Sequence, residues 1–493
     1  MSQESNTESG TDIRSQLVAL EPLDLKQCRT VGELVRAMSK CSFGARMLGE
    51  VAETLLGWIR NKIPTVVVFC GPDRFESCTS LYQKGWIHTT PNTGPGNPCV
   101  GHKFLVIGRF SENEGRWFPR VFLPEDTIFI NHEGLCLPGQ VRDGYFPNVV
   151  FEDPRLVVPV IAAALDEWLG IKTWTVTELF KTLSQYGGLA AEVVRGAQVL
   201  KAMIDDPDCT VFMTASGAMT VANLDYLLCD MINEKMIQCL TTTGALMAHG
   251  FVKGLGLRQY KYDPRFSDEV LALQKLNRVT DTIEPEENFE HVDEIMNEVL
   301  DDVKTEKGPV PPGALNLMIG LHLARRFPNQ RGILKSAALQ AVPVCVPAFV
   351  DSELGNDVFC HNAIRARDGR SKVTVDPEGD SKTLMDLALA SEKMGIFSIG
   401  GGVPRNNVQN VAPLIEIFKE RLRRSDLPDR HFSYGCRICP DPMWYGHLSG
   451  CTYSENESWR KMRGANDARR FAQVHADATI ALPLILKWVM ENR

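Results

Sequence analysis

The stretch TVTELFKTLSQYGGLAAEVVRGAQVLKAMIDDPDCTVFMT, residues 175–214, decides how the chain is read. It is a helical run with an apolar face, followed by CTVFM, a segment with the length and composition of a buried strand. A second stretch, TVGELVRAMSKCSFGARMLGEVAETLLGWIRNKIPTVVVF at residues 30–69, matches it without a gap. At one fixed offset Val31 pairs with Val176, Glu33 with Glu178, Leu34 with Leu179, Ala45 with Ala190 and Thr65 with Thr210. A gapless match through a helix and a strand points to a duplicated unit.

A second echo closes the unit. NVVFEDPRLVVPVIAAALDEWL from Asn148 resembles QVHADATIALPLILKWVMEN from Gln473, with Asp153 aligned to Asp477 and Pro159 to Pro483. The N-terminal third thus keeps the opening and closing elements of the later unit, with the middle shortened. The expected organisation is a flexible tail over residues 1–25, a degenerate partial repeat over 26–170 and a main domain over 171–493.

From Thr175 onward, apolar strands alternate with helices. The strand candidates are CTVFM (209–213), MIQCLTTT (236–243), VPVCVPAF (342–349), GIFSIGG (395–401), HFSYGCRI (431–438) and FAQVHAD (471–477). Such alternation predicts an α/β fold, a Rossmann-like doubly wound and mostly parallel sheet covered on both faces. The acidic stretch from Asp281 to Gly313 breaks the rhythm and reads as a surface excursion.

The chain has 493 residues, 44% hydrophobic and 23% charged, and a net charge of −8. This is ordinary globular composition. Its sign argues against nucleic acid as a partner. The polar N-terminus has no apolar core of a secretory signal, and no run is long enough to span a bilayer. A cytoplasmic protein is expected. Of the 14 cysteines, only Cys436 and Cys439 form a C-x-x-C pair, which cannot alone supply four zinc ligands, so no metal is expected.

In a doubly wound sheet the ligand sits beyond the carboxyl ends of the strands. Several ends there are equipped. TTTGA offers hydroxyls before a glycine. SIGGGVPRNN offers Gly400, Gly401 and Gly402 in a row, whose backbone N–H groups suit a phosphate or serve tight loop packing. PAFVDSELGND offers Asp351, Glu353 and Asp357 as ribose or ammonium partners or as helix-capping acids, and VHADAT offers Asp477. Near the C-terminus, WYGHLSGCTYSENESWRKMRG (444–464) places Glu455, Trp459 and Lys461 in one short window. A lysine attacks a carbonyl or imine carbon near neutral pH only if desolvation or a nearby cation favours its neutral form.

The order of these pieces resembles the deoxyhypusine synthases, and most closely the deoxyhypusine-synthase-like proteins, over roughly residues 175 to 490. ESWRKM is similar to the family's catalytic-lysine motif. The resemblance implies NAD-dependent transfer of an aminobutyl group from spermidine, through an imine on the enzyme lysine, to a lysine of the hypusine-bearing translation initiation factor. It implies Lys461 as the nucleophile and Glu455, Ser458, Trp459 and Gly446 as substrate contacts. It also implies Thr241, Thr242, Asp351, Gly401, Asp477 and Ala478 as NAD contacts, and a homo- or hetero-tetramer. The chain departs from the pattern where Met247 replaces a glutamate, Asn356 an aspartate and Asn406 a histidine. Tyr445-Gly446-His447-Leu448-Ser449 has also lost two acids. Weaker retention of a triamine is expected. The alternative reading is a catalytically weak paralogous subunit of a heteromeric enzyme.

Overall fold

A computed structural model describes residues 13–70, 81, 85–86, 88–89, 102–108, 123–131 and 145–493. Two parallel sheets organise them. The first contains β1 (Thr65–Cys70), β2 (His88–Thr89), β3 (Lys103–Gly108), β4 (Thr127–Asn131) and β5 (Val149–Phe151), in the order β2-β1-β3-β4-β5. The second begins with β6 (Cys209–Ala215) and β7 (Cys239–Thr242). A small antiparallel sheet follows, formed by β8 (Tyr260–Lys261), β9 (Leu276–Val279) and β10 (Thr282–Pro285). The chain then returns to the second sheet with β11 (Val344–Cys345), β12 (Lys393–Ile399), β13 (Phe432–Ile438) and β14 (Phe471–Val474).

The second sheet runs β11-β7-β6-β12-β13-β14, all parallel. Chain order therefore winds outward one way from β6 and then the other way from β12, the arrangement of a Rossmann sheet. The doubly wound, mostly parallel fold expected from the sequence is present. Its switch point lies between β6 and β12. Thr214 stands there in register with Thr241 on one side and Ser398 on the other, donating to the Ser398 Oγ at 2.9 Å. Phe212 and Met213 are fully buried because helices cover both faces.

Matched positions in the two halves have matched local geometry. Thr30 and Thr175 each cap a helix by accepting the N–H of Glu33 and Glu178. The next helices, Phe43–Arg60 and Gly188–Asp205, both begin on a residue in the left-handed region, Phe43 at φ 57° and Gly188 at φ 60°. The closing helices Pro154–Trp168 and Ala478–Glu491 are capped by Asp153 and Asp477. Glu167, in the last turn of the first closing helix, accepts from Thr30 Oγ1 at 2.8 Å and Gly32 N at 3.2 Å. Glu491, at the end of the second, accepts from Thr177 N and Oγ1, both at 2.8 Å.

The halves meet at helix N-termini. Ala45 N donates to Thr479 Oγ1 at 3.1 Å, and a side chain at Gly44 would collide with Asp477 and Thr479. Asp477 N donates to Glu152 Oε2 at 2.8 Å, and burial pushes the Asp477 carboxyl above its usual range. Beside this contact, Arg46 pairs with Asp281 at 2.5 Å, both side chains 1% exposed.

Two expectations change. The acidic stretch after Asp281 is no surface excursion: β10 is buried and the helix Glu286–Asp301 sends Val292, Met296 and Leu300 into the core. Its acids sit on the outer face of an amphipathic helix, and Glu284 is held inside by Gln259, Asn288 and His249. Nor do residues 13–25 hang free. Leu20, Leu23 and Leu25 are buried, and the N–H groups of Leu20 and Leu23 bond to Gln259 O and Asn223 O. Residues 1–12 of the expected tail lie outside the described residues. No helix among those described is long and apolar enough to cross a membrane.

Candidate active site

The helix Gly402–Gln409 follows β12 directly, so its flank lies beside the switch point. A cleft of about 610 Å³ opens along that flank. One wall carries Arg405, Asn406 and Gln409; the other carries His447, Cys451 and Lys461. Glu455, Asn456 and Trp459 line it as well.

Lys461 reaches the cleft through an unusual local turn. The one-turn helix Glu455–Ser458 ends, and Arg460 adopts φ 55°. Its reversal points Trp459 outward, where it is 64% exposed, and sends Lys461 inward, where it is 8% exposed. The backbone of Lys461 is fixed at both ends: its N–H bonds to Asn456 O and its carbonyl accepts from Phe432 N, both at 3.0 Å. Nζ donates to Asn406 Oδ1 at 3.1 Å and lies 5.7 Å from the centre of the Trp459 ring. Burial lowers the ammonium's pKa from the usual lysine value, and the charge of Arg405 lowers it further. Trp459 stands at the rim, so most of the desolvation comes from the cleft walls.

Arg405 and Arg437 hold the loop over the switch point. Both side chains are nearly fully buried. Arg405 donates to Ser449 O at 3.2 Å and Cys451 O at 2.9 Å. Arg437 donates to the same carbonyls at 2.9 and 2.6 Å and to Gln473 Oε1 at 2.5 Å. The loop they hold lies on the triple glycine: a Cβ at Gly401 would come within 2.9 Å of Ser449. Burial and the neighbouring Arg437 push Arg405 below the usual arginine range.

The remaining sequence candidates are distributed. Glu455 is exposed at the cleft mouth; Ser458 is exposed and donates to Glu455 O at 2.8 Å. Gly446 lies in the exposed turn beside Trp444 and Tyr445. Thr241 and Thr242 are buried at the end of β7, and Thr241 Oγ1 has no hydrogen-bond partner among the described residues. Near them, Gly244 packs against Ser352, the residue after the exposed Asp351. Asp477 and Ala478 lie at the junction with the N-terminal half. Cys436 and Cys439 are buried thiols; burial pushes Cys436 up to about 12.

Residues 178–489 match the sequence model of deoxyhypusine synthase. The chain belongs to the deoxyhypusine synthase family. Its activity class is therefore that of a transferase. It is 31% identical over 319 residues to a probable deoxyhypusine synthase 2 from Methanosarcina acetivorans, covering 64% of this chain and 87% of that one. It is 26% identical over 331 residues to a deoxyhypusine synthase-like protein from Chlorobaculum parvum, covering 66% and 89%. A putative deoxyhypusine synthase from Entamoeba histolytica, of known structure, aligns with 64% of this chain and 92% of its own at TM-score 0.43 and 16% identity.

Within a deoxyhypusine synthase family fold, the observed site is richer in cations than the motif reading suggested. Arg405 and Arg437 were missed, although each gives a signal. Arg405 and Gln409 share the buried face of their helix with Pro404 and Val408, and Arg437 is the one charged residue of its strand. Polar groups on a buried face require partners, so they mark a site or a strut.

Proposed function

We propose that the chain transfers an aminoalkyl group through an imine on Lys461, with NAD as its redox partner. The observation that carries this reading is the lysine itself: buried, lowered in pKa, and bonded to a neutral acceptor. Among the described residues Lys461 pairs with no carboxylate, and beside a neutral oxygen and a second cation its charged form is disfavoured, which suits nucleophilic attack. Asn406 Oδ1 accepts one Nζ hydrogen, which leaves the single lone pair of the neutral amine free to attack. Trp459 offers a π face to a cationic group, and Glu455 can hold an ammonium at the mouth.

The buried Thr241 hydroxyl, without a partner among the described residues and beside Thr242, fits a cofactor edge beyond β7. These residues would hold NAD, which supplies the hydride acceptor and, once reduced, the hydride donor. Family membership suggests spermidine as donor and a lysine of the translation initiation factor as acceptor. We further infer that residues 26–170 are a shortened copy of the main unit. The shared strand order and the paired caps at Thr30 and Thr175 support this.

A second reading has its own observation. Ser449 lies on Gly401, where the family would bring backbone to the cofactor, and this favours a weakly catalytic subunit. Borohydride trapping separates the two. The full chain is incubated with NAD and, in turn, spermidine, a neutral diamine derivative and a zwitterionic amine, then reduced and digested. The transfer reading expects an NAD-dependent adduct on Lys461 from at least one donor. NAD binding with no adduct from any of them would leave the subunit reading.

A further inference from the structure

The two units meet through reciprocal contacts. The start of the helix Phe43–Arg60 packs on the start of the main unit's closing helix, Ala478–Glu491. Ala45 N donates to Thr479 Oγ1 at 3.1 Å, and a Cβ on Gly44 would come within 2.9 Å of Asp477, Thr479 and Ile480. The matched helix of the main unit, Gly188–Asp205, returns the contact on the first closing helix, Pro154–Trp168. There a Cβ on Gly188 would run into the Arg155 guanidinium. Between the two closing helices, the Glu152 carboxylate takes the N–H of Asp153 at 3.0 Å and that of Asp477 at 2.8 Å. One side chain thus bridges the matched caps. The strand order β2-β1-β3-β4-β5 recurs as β7-β6-β12-β13-β14, so the elements that meet are equivalent ones. Reciprocal contact between equivalent elements is the pattern of an isologous interface between two copies.

The match is broken at two of the contact positions. At the offset of the first repeat Gly44 corresponds to Leu189, and at that of the second Glu152 corresponds to Ala476. A second main unit set on this face would bring Leu189 to a place where a single Cβ already collides. It would also supply no carboxylate to the paired helix starts, where a negative charge is favoured.

We propose that the N-terminal unit is a built-in partner of the main unit. On the face formed by the starts of Gly188–Asp205 and Ala478–Glu491 it holds the place of a second copy, and Gly44 and Glu152 tailor that face to it alone. This rests on reading residues 26–170 as a shortened copy and gives the copy its role. Association with other chains is left to other faces.

Hydrogen exchange on the full chain, followed by peptide mass, tests this. Amides of residues 188–195 and 477–483 should be equally protected at about 50 μM and about 0.5 μM, because a partner within the chain is not diluted. Protection that falls on dilution would mean that a second chain covers the face, and would overturn the proposal. Gly44→Leu should speed exchange at least about tenfold in both segments and in residues 153–159, while β6 and β12 stay protected. Residues 188–195 respond because the two contacts belong to one interface. A rise confined to 477–483, or no rise at all, would overturn that. Concentrating the variant should restore nothing; protection regained together with a doubled mass would show that a second copy fits, against the tailoring. Where Gly44→Leu also unfolds β6 and β12, Glu152→Ala replaces it, with the same segments expected to respond. The copy reading fails separately, if β1 and β3 of the wild type exchange as unfolded chain while β6 and β12 are protected.

Discussion

Lys461→Arg should abolish the borohydride-stable adduct, lowering its rate of formation by at least about 10³-fold, while leaving the protein folded. Arginine keeps a cation of similar reach, so it still meets Asn406 at the cleft wall. Its guanidinium, however, stays protonated and delocalised and has no nucleophilic lone pair. The wild-type lysine differs because burial and Arg405 both disfavour its charged form. Each unit by which its pKa falls raises the neutral fraction at neutral pH about tenfold. Circular dichroism and the thermal midpoint should change little, since the backbone bonds of Lys461 to Asn456 and Phe432 do not involve the side chain. An adduct persisting in the variant at the wild-type rate would assign the chemistry to another lysine.

Asp281→Asn should destabilise the folded chain by about 3–5 kcal/mol, the range for breaking one side of a buried ion pair. Asp281 sits in the turn between β9 and β10, next to Thr280 at φ 57°. Its carboxylate accepts the Phe43 N–H at 3.1 and 3.0 Å and the Arg46 Nε–H at 2.5 Å. Asparagine retains the shape but removes the charge that offsets Arg46, a residue fully buried in the helix that joins the two halves. Glu50 and the Tyr145 ring remain near the guanidinium but do not replace the lost partner. Denaturant midpoints of the full chain give the value. Asp268→Asn, which breaks an exposed pair with Arg278, serves as the comparison and should have little effect. Equal effects of the two substitutions would contradict the role assigned to Asp281.

Much of the fold could be read from apolar strands at regular spacing, because β6, β7, β12, β13 and β14 are buried on both faces and carry almost no charge until their ends. The antiparallel sheet escaped notice for the opposite reason. LNRVTDTIEP mixes strand residues with charges, and two of those charges, Asp281 and Glu284, are buried in polar networks that periodicity does not reveal. The Lys461 window was found by its motif, but the opposite fates of Trp459 and Lys461 depend on the left-handed Arg460, a conformation that residue identity does not announce. Arg405 and Arg437 went unread because a lone arginine in a strand or helix looks like surface until its neighbours are known. Ser449 on Gly401 likewise depends on how a distant loop folds back, which no local pattern encodes.

Lys461 is assigned as a neutral-prone nucleophile, and competitive labelling across pH measures that property. The full chain is exposed to trace amounts of an acylating reagent from pH 6 to pH 11, and the Lys461 peptide is compared with the other lysine peptides. Deprotonation should set in at lower pH for Lys461 than for an ordinary lysine, since burial and Arg405 both lower its pKa. A labelling curve that coincides with those of the exposed lysines, or lies at higher pH, would contradict the assignment.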